Sequence, residues 1–335
     1  MKKTNIALLL GDCSGVGPEV VAKYLGNIWD PTQCRIIIVG DNLAFEEALT
    51  LTKTKVDYTI AENIDDLNLE SGDLLLLNVP HADYHSIAKG RINLECGKNS
   101  LKQIETVVEL FNRKVISGIC YAPFNKGALL DGGCPVASEM EYFAYLLGVK
   151  TIIGEINMVD NVWTTRVTSH IPIKAVSEAL SIDNIVENIV LADGIIKQSG
   201  LASPRIGVAA LNPHGGEGGR CGTEEIDVIG PAVARGKELG IQVSGPFSAD
   251  ILFMRSFKGD FDGVVTMYHD QGQIALKLKG FERSVTLGGG IPVPIGTCAH
   301  GTAFDIVGKG IASETSLKNA INIIIKMAGG ENEKI

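Results

Sequence analysis

The chain has 335 residues and carries 30 basic against 39 acidic side chains, a formal net charge of −9. That balance offers no general field for a nucleic-acid backbone or an anionic membrane, so an anionic ligand has to be held by a local pocket. With 45% hydrophobic and 21% charged residues, the composition is that of a folded globular protein, and it excludes a disordered chain or a disulfide-stapled miniprotein.

The apolar run 6–10 stops at Gly11-Asp12, too soon for a secretory segment, and reads as a first strand. Further strands are expected at 35–39, 73–79, 115–121, 151–153, 205–211, 242–243 and 264–267. Helices are expected at 18–25, 99–113, 140–147, 182–197, 224–239 and 316–327, the first with Pro18 in its opening turn, where a missing N–H costs nothing. Many strands are Val/Ile/Leu runs without alternation, as in sheets covered on both faces, so the alternation of runs indicates an α/β protein. The stretch 161–173, with VWTTRVT, reads either as a hairpin or arm at a subunit surface or as an antiparallel strand in a mixed sheet. No stretch approaches the roughly 18 uninterrupted apolar residues of a membrane span, and a soluble, cytoplasmic protein is expected, with no nucleic-acid or membrane partner. The seven Cys (13, 34, 96, 120, 134, 221, 298) show no C-x-x-C pair, so reduced, mostly packed thiols are expected rather than a disulfide framework or a zinc ribbon.

Five segments carry chemistry. The first, G-D-C-S-G-V-G-P-E-V from Gly11 to Val20, follows a strand and opens a helix, a setting in which backbone amides can approach an anion or a cofactor; it is not the G-x-G-x-x-G fingerprint. Near the far end, H-G-T-A-F-D-I-V-G-K-G from His300 to Gly310 offers a hydroxyl, a carboxylate and glycines to ribose and adenine. Between them lie Y-A-P-F-N-K (121–126), L-N-P-H-G-G-E-G-G (211–219) continuing to Gly222-Thr223-Glu224-Glu225, and Y-H-D-Q-G (268–272) with Lys277 beyond. Each follows a strand, and polar residues at the C-terminal ends of several strands converge on one crevice in open α/β sheets. His81 and His85 read as ordinary surface residues. His170, His214 and His269 have no local ligand spacing that announces a metal.

The first and last motifs together resemble the isocitrate and isopropylmalate dehydrogenase superfamily, and all five in this order resemble its 4-hydroxythreonine-4-phosphate dehydrogenase branch, from Gly11 to Ala312. The resemblance implies an isocitrate/isopropylmalate dehydrogenase-like α/β fold of two α/β/α subdomains around a central cleft, approximately 1–125 plus 290–335 and 126–289. It implies a homodimer with a shared active site, an NAD or NADP cofactor near Gly11, Asp12, Gly15, His300, Gly301, Thr302 and Asp305, and a divalent metal (zinc, magnesium, manganese or cobalt) on His170, His214 and His269. Asp250 and Asp270 match family carboxylates that orient such ligands or carry protons, and Lys277 matches a residue that holds the substrate's phosphate.

The chain departs from the family pattern at the substrate. Where the family has G-H-T-E, this chain has Ser138-Glu139-Met140-Glu141, and Thr286 and Ile295 stand where the family has the Asn and Arg that join the Lys on the phosphate. Losing a guanidinium removes a bidentate, charge-assisted contact, so a changed small anionic hydroxy-acid substrate is expected, unless Lys126 or Arg283 restores the grip. The oxidation, with or without decarboxylation, is the leading expectation. The competing readings are a true 4-hydroxythreonine-4-phosphate dehydrogenase of vitamin B6 synthesis, a metal-dependent hydrolase, which has no use for a dinucleotide loop, and a non-catalytic binding protein on the same scaffold.

Overall fold

In the computed structural model, which describes residues 3–329, these residues divide into two compact units, 3–149 with 291–329, and 150–290. The strands are β1 (Asn5–Leu9), β2 (Arg35–Gly40), β3 (Thr59–Ala61), β4 (Leu74–Asn78), β5 (Gly118–Tyr121), β6 (Gly154–Val159), β7 (Val162–Arg166), β8 (Ile206–Ala209), β9 (Val243–Phe247), β10 (Gly263–Thr266), β11 (Val285–Gly289) and β12 (Ile295–Cys298).

In the first unit the strand order is β3-β4-β2-β1-β5-β12, with parallel pairing throughout. Asn5–Leu9 is buried along its whole length, which is why its sequence is apolar without alternation. The helix Leu94–Asn112 begins at Asn93, whose side chain accepts from the backbone N–H of Glu95 and Cys96, a standard way of satisfying orphan donors at a helix start.

The second unit runs β11-β6-β7-β10-β8-β9. Here β7, β10, β8 and β9 are parallel neighbours, while β6 pairs antiparallel with both β11 and β7. The stretch 161–173 is therefore no projecting arm: β7 lies inside a mixed sheet, and Trp163 is buried. The helix Ile182–Gln198 starts with a full capping box between Ser181 and Asn184 and packs Ile185, Ile189, Ile195 and Ile196 inward. The expected strand at 151–153 is displaced, since β6 begins only at Gly154. Among the described residues, no helix is long and apolar enough to cross a membrane.

Candidate active site

The three histidines singled out from the sequence all stand in the second unit, each just beyond the C-terminal end of a parallel strand, and the strands are the neighbours β7, β10 and β8. His170 and His269 have ring centroids 5.9 Å apart at an interplanar angle of 39°. The Nδ1 atom of His269 lies 2.7 Å from Asp270 Oδ1, a contact that engages Nδ1 and leaves Nε2 as the nitrogen that can ligate. Asp250 follows β9, the next strand in the row. Its carboxyl is held below the ordinary carboxylate range first by the Ser248 hydroxyl, 2.7 Å away, then by a backbone hydrogen bond, with His214 contributing.

The motif residues around these histidines set their positions. Thr168 donates through both its N–H and its hydroxyl to the Met267 carbonyl, joining the end of β7 to the end of β10. Gln271 accepts from the Met267 N–H at 2.7 Å and donates to the Ala210 carbonyl at 2.7 Å, joining β10 to β8. Gly272 is buried because a Cβ there would press on Thr164 and Thr266, at 3.1 and 3.3 Å. The His214 loop is a left-handed turn: five successive residues from His214 to Gly218 have positive φ, with His214 at 52° and Glu217 at 48°. Three glycines make most of that turn strain-free. Glu225, 6% exposed, accepts from the N–H of Leu211 and Asn212 at 2.8 and 2.7 Å and fastens the loop's start.

These imidazoles suit a divalent ion chemically, and neutral His nitrogens are the commonest ligands of zinc and its neighbours. Within one chain they do not close. Among the described residues, the trio of His, Cys or carboxylate donors lying within 4.8 Å of one another is a different one, Cys13, His81 and Cys96, in the first unit.

In the same first unit the two glycine-containing motifs meet. The Val16 N–H donates to the Thr302 carbonyl at 3.0 Å, and a Cβ at Gly15 would lie 2.7 Å from that oxygen and from Thr302 Cβ. Glu19, almost wholly buried, accepts from the N–H of Gly308 and Gly310 at 2.6 and 3.0 Å. Gly11, at φ +75°, would drive a Cβ into the carbonyl oxygens of Ala122 and Pro123. Gly11 and Asp12 are thus enclosed by their own chain, Gly15 is buried, and the exposed members of this group are Gly301 and Asp305, with His300 half-buried. A shallow recess, open to solvent, is lined by both motifs, including Gly15, Glu19, Val307 and Gly308.

The residues expected at the substrate are distributed over both units. Glu139 and Met140 open the helix Glu139–Leu146, where Ser138 caps the N-terminus and Met140 turns into the core. Ile295 is fully buried in β12. In the second unit Thr286 on β11 accepts from Asn157 Nδ2 at 2.9 Å, and Asn157 Oδ1 accepts from Arg166 and Gln273 at 2.7 and 2.5 Å. Arg166 is in turn paired with Glu155 at 2.5 Å. Lys277 is exposed on the helix His269–Gly280, its ammonium 5.7 Å from the Phe281 ring centroid. Arg283 pairs with Asp160, and Lys126 opens the helix Lys126–Asp131.

Residues 32–324 match the family model described as pyridoxal phosphate biosynthetic protein PdxA. The chain belongs to the PdxA family. A Rhizobium meliloti member, provisionally named a 4-hydroxythreonine-4-phosphate dehydrogenase, is 38% identical over 98% of this chain and 94% of its own. The D-threonate 4-phosphate dehydrogenase of Cupriavidus necator is 35% identical, over 94% and 95%. The crystal structure of the Klebsiella pneumoniae 4-hydroxythreonine-4-phosphate dehydrogenase superposes with a TM-score of 0.84 at 31% identity, covering 98% of this chain and all of the other. The PdxA relatives are named as dehydrogenases, so the histidine row and the paired loops stand in an oxidoreductase scaffold.

One expectation about this PdxA chain is corrected by the structure. His81 is no ordinary surface residue: its side chain is 1% exposed, drawn inward by Asp41, which accepts from its backbone N–H and meets its Nδ1, both at 2.7 Å. Its Nε2 then lies 3.2 Å from Cys13 Sγ. Sequence spacing hides this cluster because its members come from three separate loops and helix starts.

Proposed function

We propose that this protein is an NAD- or NADP-dependent, divalent-metal-dependent dehydrogenase that oxidises the secondary alcohol of a small hydroxy acid, with an altered grip on the substrate's anionic end. The observation that carries the reading is the row of His170, His269 and His214 on three adjacent parallel strands of a PdxA-family chain. Its support on the cofactor side is the pairing of the first loop with the 300–310 loop through Val16, Thr302 and Glu19.

In this reading His170, His214 and His269 hold the ion, completed across a homodimer. When bound, a divalent cation lowers the pKa of the alcohol, and a nicotinamide accepts the hydride. Asp270 keeps the His269 tautomer fixed through Nδ1. Asp250, which follows the strand next to that of His214, is the acceptor for the alcohol proton. Lys277 attracts the anionic end of the substrate. Thr286 offers one hydroxyl, already accepting from Asn157, where an amide would stand, and Ile295 is sealed in the core with no donor, so the bidentate guanidinium contact a phosphate dianion takes from Arg is missing. Hence the favoured substrate carries a carboxylate or a less demanding anion there.

The names of the relatives favour a second reading, a hydroxy-acid phosphate such as 4-hydroxythreonine 4-phosphate or D-threonate 4-phosphate. The deciding experiment is an assay of NAD and NADP reduction against matched phosphorylated and unphosphorylated hydroxy acids, with and without chelator. Chelator-sensitive turnover with kcat/KM higher for an unphosphorylated acid supports the first reading. Efficient turnover of either phosphate ester selects the second, and chelator-insensitive turnover defeats the metal assignment.

A further inference from the structure

The Cys13, His81 and Cys96 cluster has no part in the reaction above. Cys13 follows β1, His81 follows β4, and Cys96 lies in the first turn of the helix Leu94–Asn112, so three separately delivered side chains meet at one point. The two sulfurs are 3.3 Å apart, and Cys13 Sγ is 3.2 Å from His81 Nε2. All three donor atoms lie within 4.8 Å of one another. Both cysteines are buried.

Three further features make this more than an accidental contact. Asp41 engages Nδ1 of His81 from behind, the carboxylate–histidine arrangement that fixes a ligand's tautomer and aims Nε2 at a metal. Next, Asp12 is wholly buried: its Oδ1 is taken by the Ser14 N–H and hydroxyl at 2.9 and 2.6 Å, while its Oδ2 is buried without a hydrogen-bond partner. Cys96 neighbours that carboxyl. An orphaned carboxylate oxygen is costly in a protein interior unless something compensates it. Finally, Cys13 and Lys89 also line the solvent-open recess, which gives an ion a route in.

We propose that Cys13, Cys96 and Nε2 of His81 bind one zinc ion, with Asp12 Oδ2 turning in as the fourth donor. Two sulfurs, one imidazole and one carboxylate suit a borderline-soft cation in tetrahedral geometry. Around such an ion the sulfurs sit about 3.8 Å apart, from Zn–S bonds of about 2.3 Å, so the pair has to spread by about half an ångström. Binding releases the protons the thiols carry, and Lys89, which donates to the Cys13 carbonyl at 3.1 Å, offsets part of the remaining negative charge. The ion clips the loop after β1 to the β4 loop and to the helix start, all within the first unit, and uses none of His170, His214 and His269 of the second, so the site stands or falls independently of the proposed reaction.

The test uses the full chain, stripped of metal under reductant and titrated with cobalt(II). A saturable thiolate-to-cobalt charge-transfer band is expected, since a site made of imidazoles has no such band. It should disappear in Cys13→Ser and Cys96→Ser and persist in Cys221→Ser, which removes the exposed thiol. X-ray absorption of the zinc-loaded native protein, which needs no variant to fold, should show sulfur neighbours at about 2.3 Å, two per zinc with this site alone filled and an average of one with the imidazole site filled as well. A cobalt-loaded protein without the band, a band lost only in Cys221→Ser, or a zinc shell of nitrogen and oxygen alone overturns the proposal. So does a Cys13–Cys96 disulfide in protein isolated under reductant.

Discussion

Asp270 meets His269 at 2.7 Å through Nδ1, which leaves Nε2 as the nitrogen that can ligate, and the His170 ring centroid lies 5.9 Å from that of His269. The carboxylate therefore acts on the imidazole's tautomer and not in place of it. Asp270→Asn is expected to weaken metal affinity about 10–100-fold, the usual cost of losing an outer carboxylate, while His269→Ala abolishes metal-dependent turnover. Metal titrations followed by NAD(P) reduction measure both. Equal losses from the two substitutions would assign Asp270 a direct part in the chemistry.

Thr286 and Asn157 give a prediction about stability. Thr286→Val keeps the side chain's shape but removes the oxygen that accepts from Asn157 Nδ2, leaving a largely buried amide hydrogen without that partner. The cost is expected to be about 1–3 kcal/mol, read as a lower denaturation midpoint with unchanged m-value. An unchanged midpoint would mean that the Asn157 hub tolerates the loss by re-pairing with its neighbours.

Gly15 and Thr302 test the docking of the two loops. A Cβ at position 15 would lie 2.7 Å from both the Thr302 carbonyl oxygen and its Cβ, so Gly15→Ala has to push the 300–310 loop away. If that loop holds the dinucleotide, KM for NAD or NADP rises several-fold while KM for the hydroxy acid stays put. A rise in the acid's KM alone would separate this loop from cofactor binding.

The α/β class was legible because strands such as Ile36–Val39 and Leu74–Leu77 are covered on both faces and so read as unbroken apolar runs. The histidine row was legible only through the motifs, in which Thr168 and Gln271 link strand ends and Glu225 holds the start of the His214 loop. Other elements were not. β11 reads V-T-L-G-G and β12 I-G-T-C, and their glycines mask strand character in any periodicity. The helix His269–Gly280 mixes polar and apolar residues with no apolar face. His81 could not be placed, because what buries it is Asp41, forty residues away in sequence.

Arg205 and Asp262 provide the acid-stability test. Asp262 accepts from the Arg205 backbone N–H at 2.8 Å and from Nε and Nη2 at 3.0 and 2.9 Å. Burial acts to raise its carboxyl, but these Arg205 contacts outweigh it and hold the pKa below the ordinary value of 3.8. A carboxyl depressed in the folded state binds its proton more weakly there than in the unfolded chain. Its contribution is therefore complete above the unfolded pKa and disappears as pH falls through the lower, folded one. The pair is partly exposed, so about 0.5–1 kcal/mol is the appropriate scale at neutral pH. Asp262→Asn should lower stability by that amount at pH 7 and by progressively less below pH 4, so that native and variant curves approach each other in acid. Urea unfolding at a series of pH values measures this, and a gap between the curves that widens toward low pH would contradict the assignment.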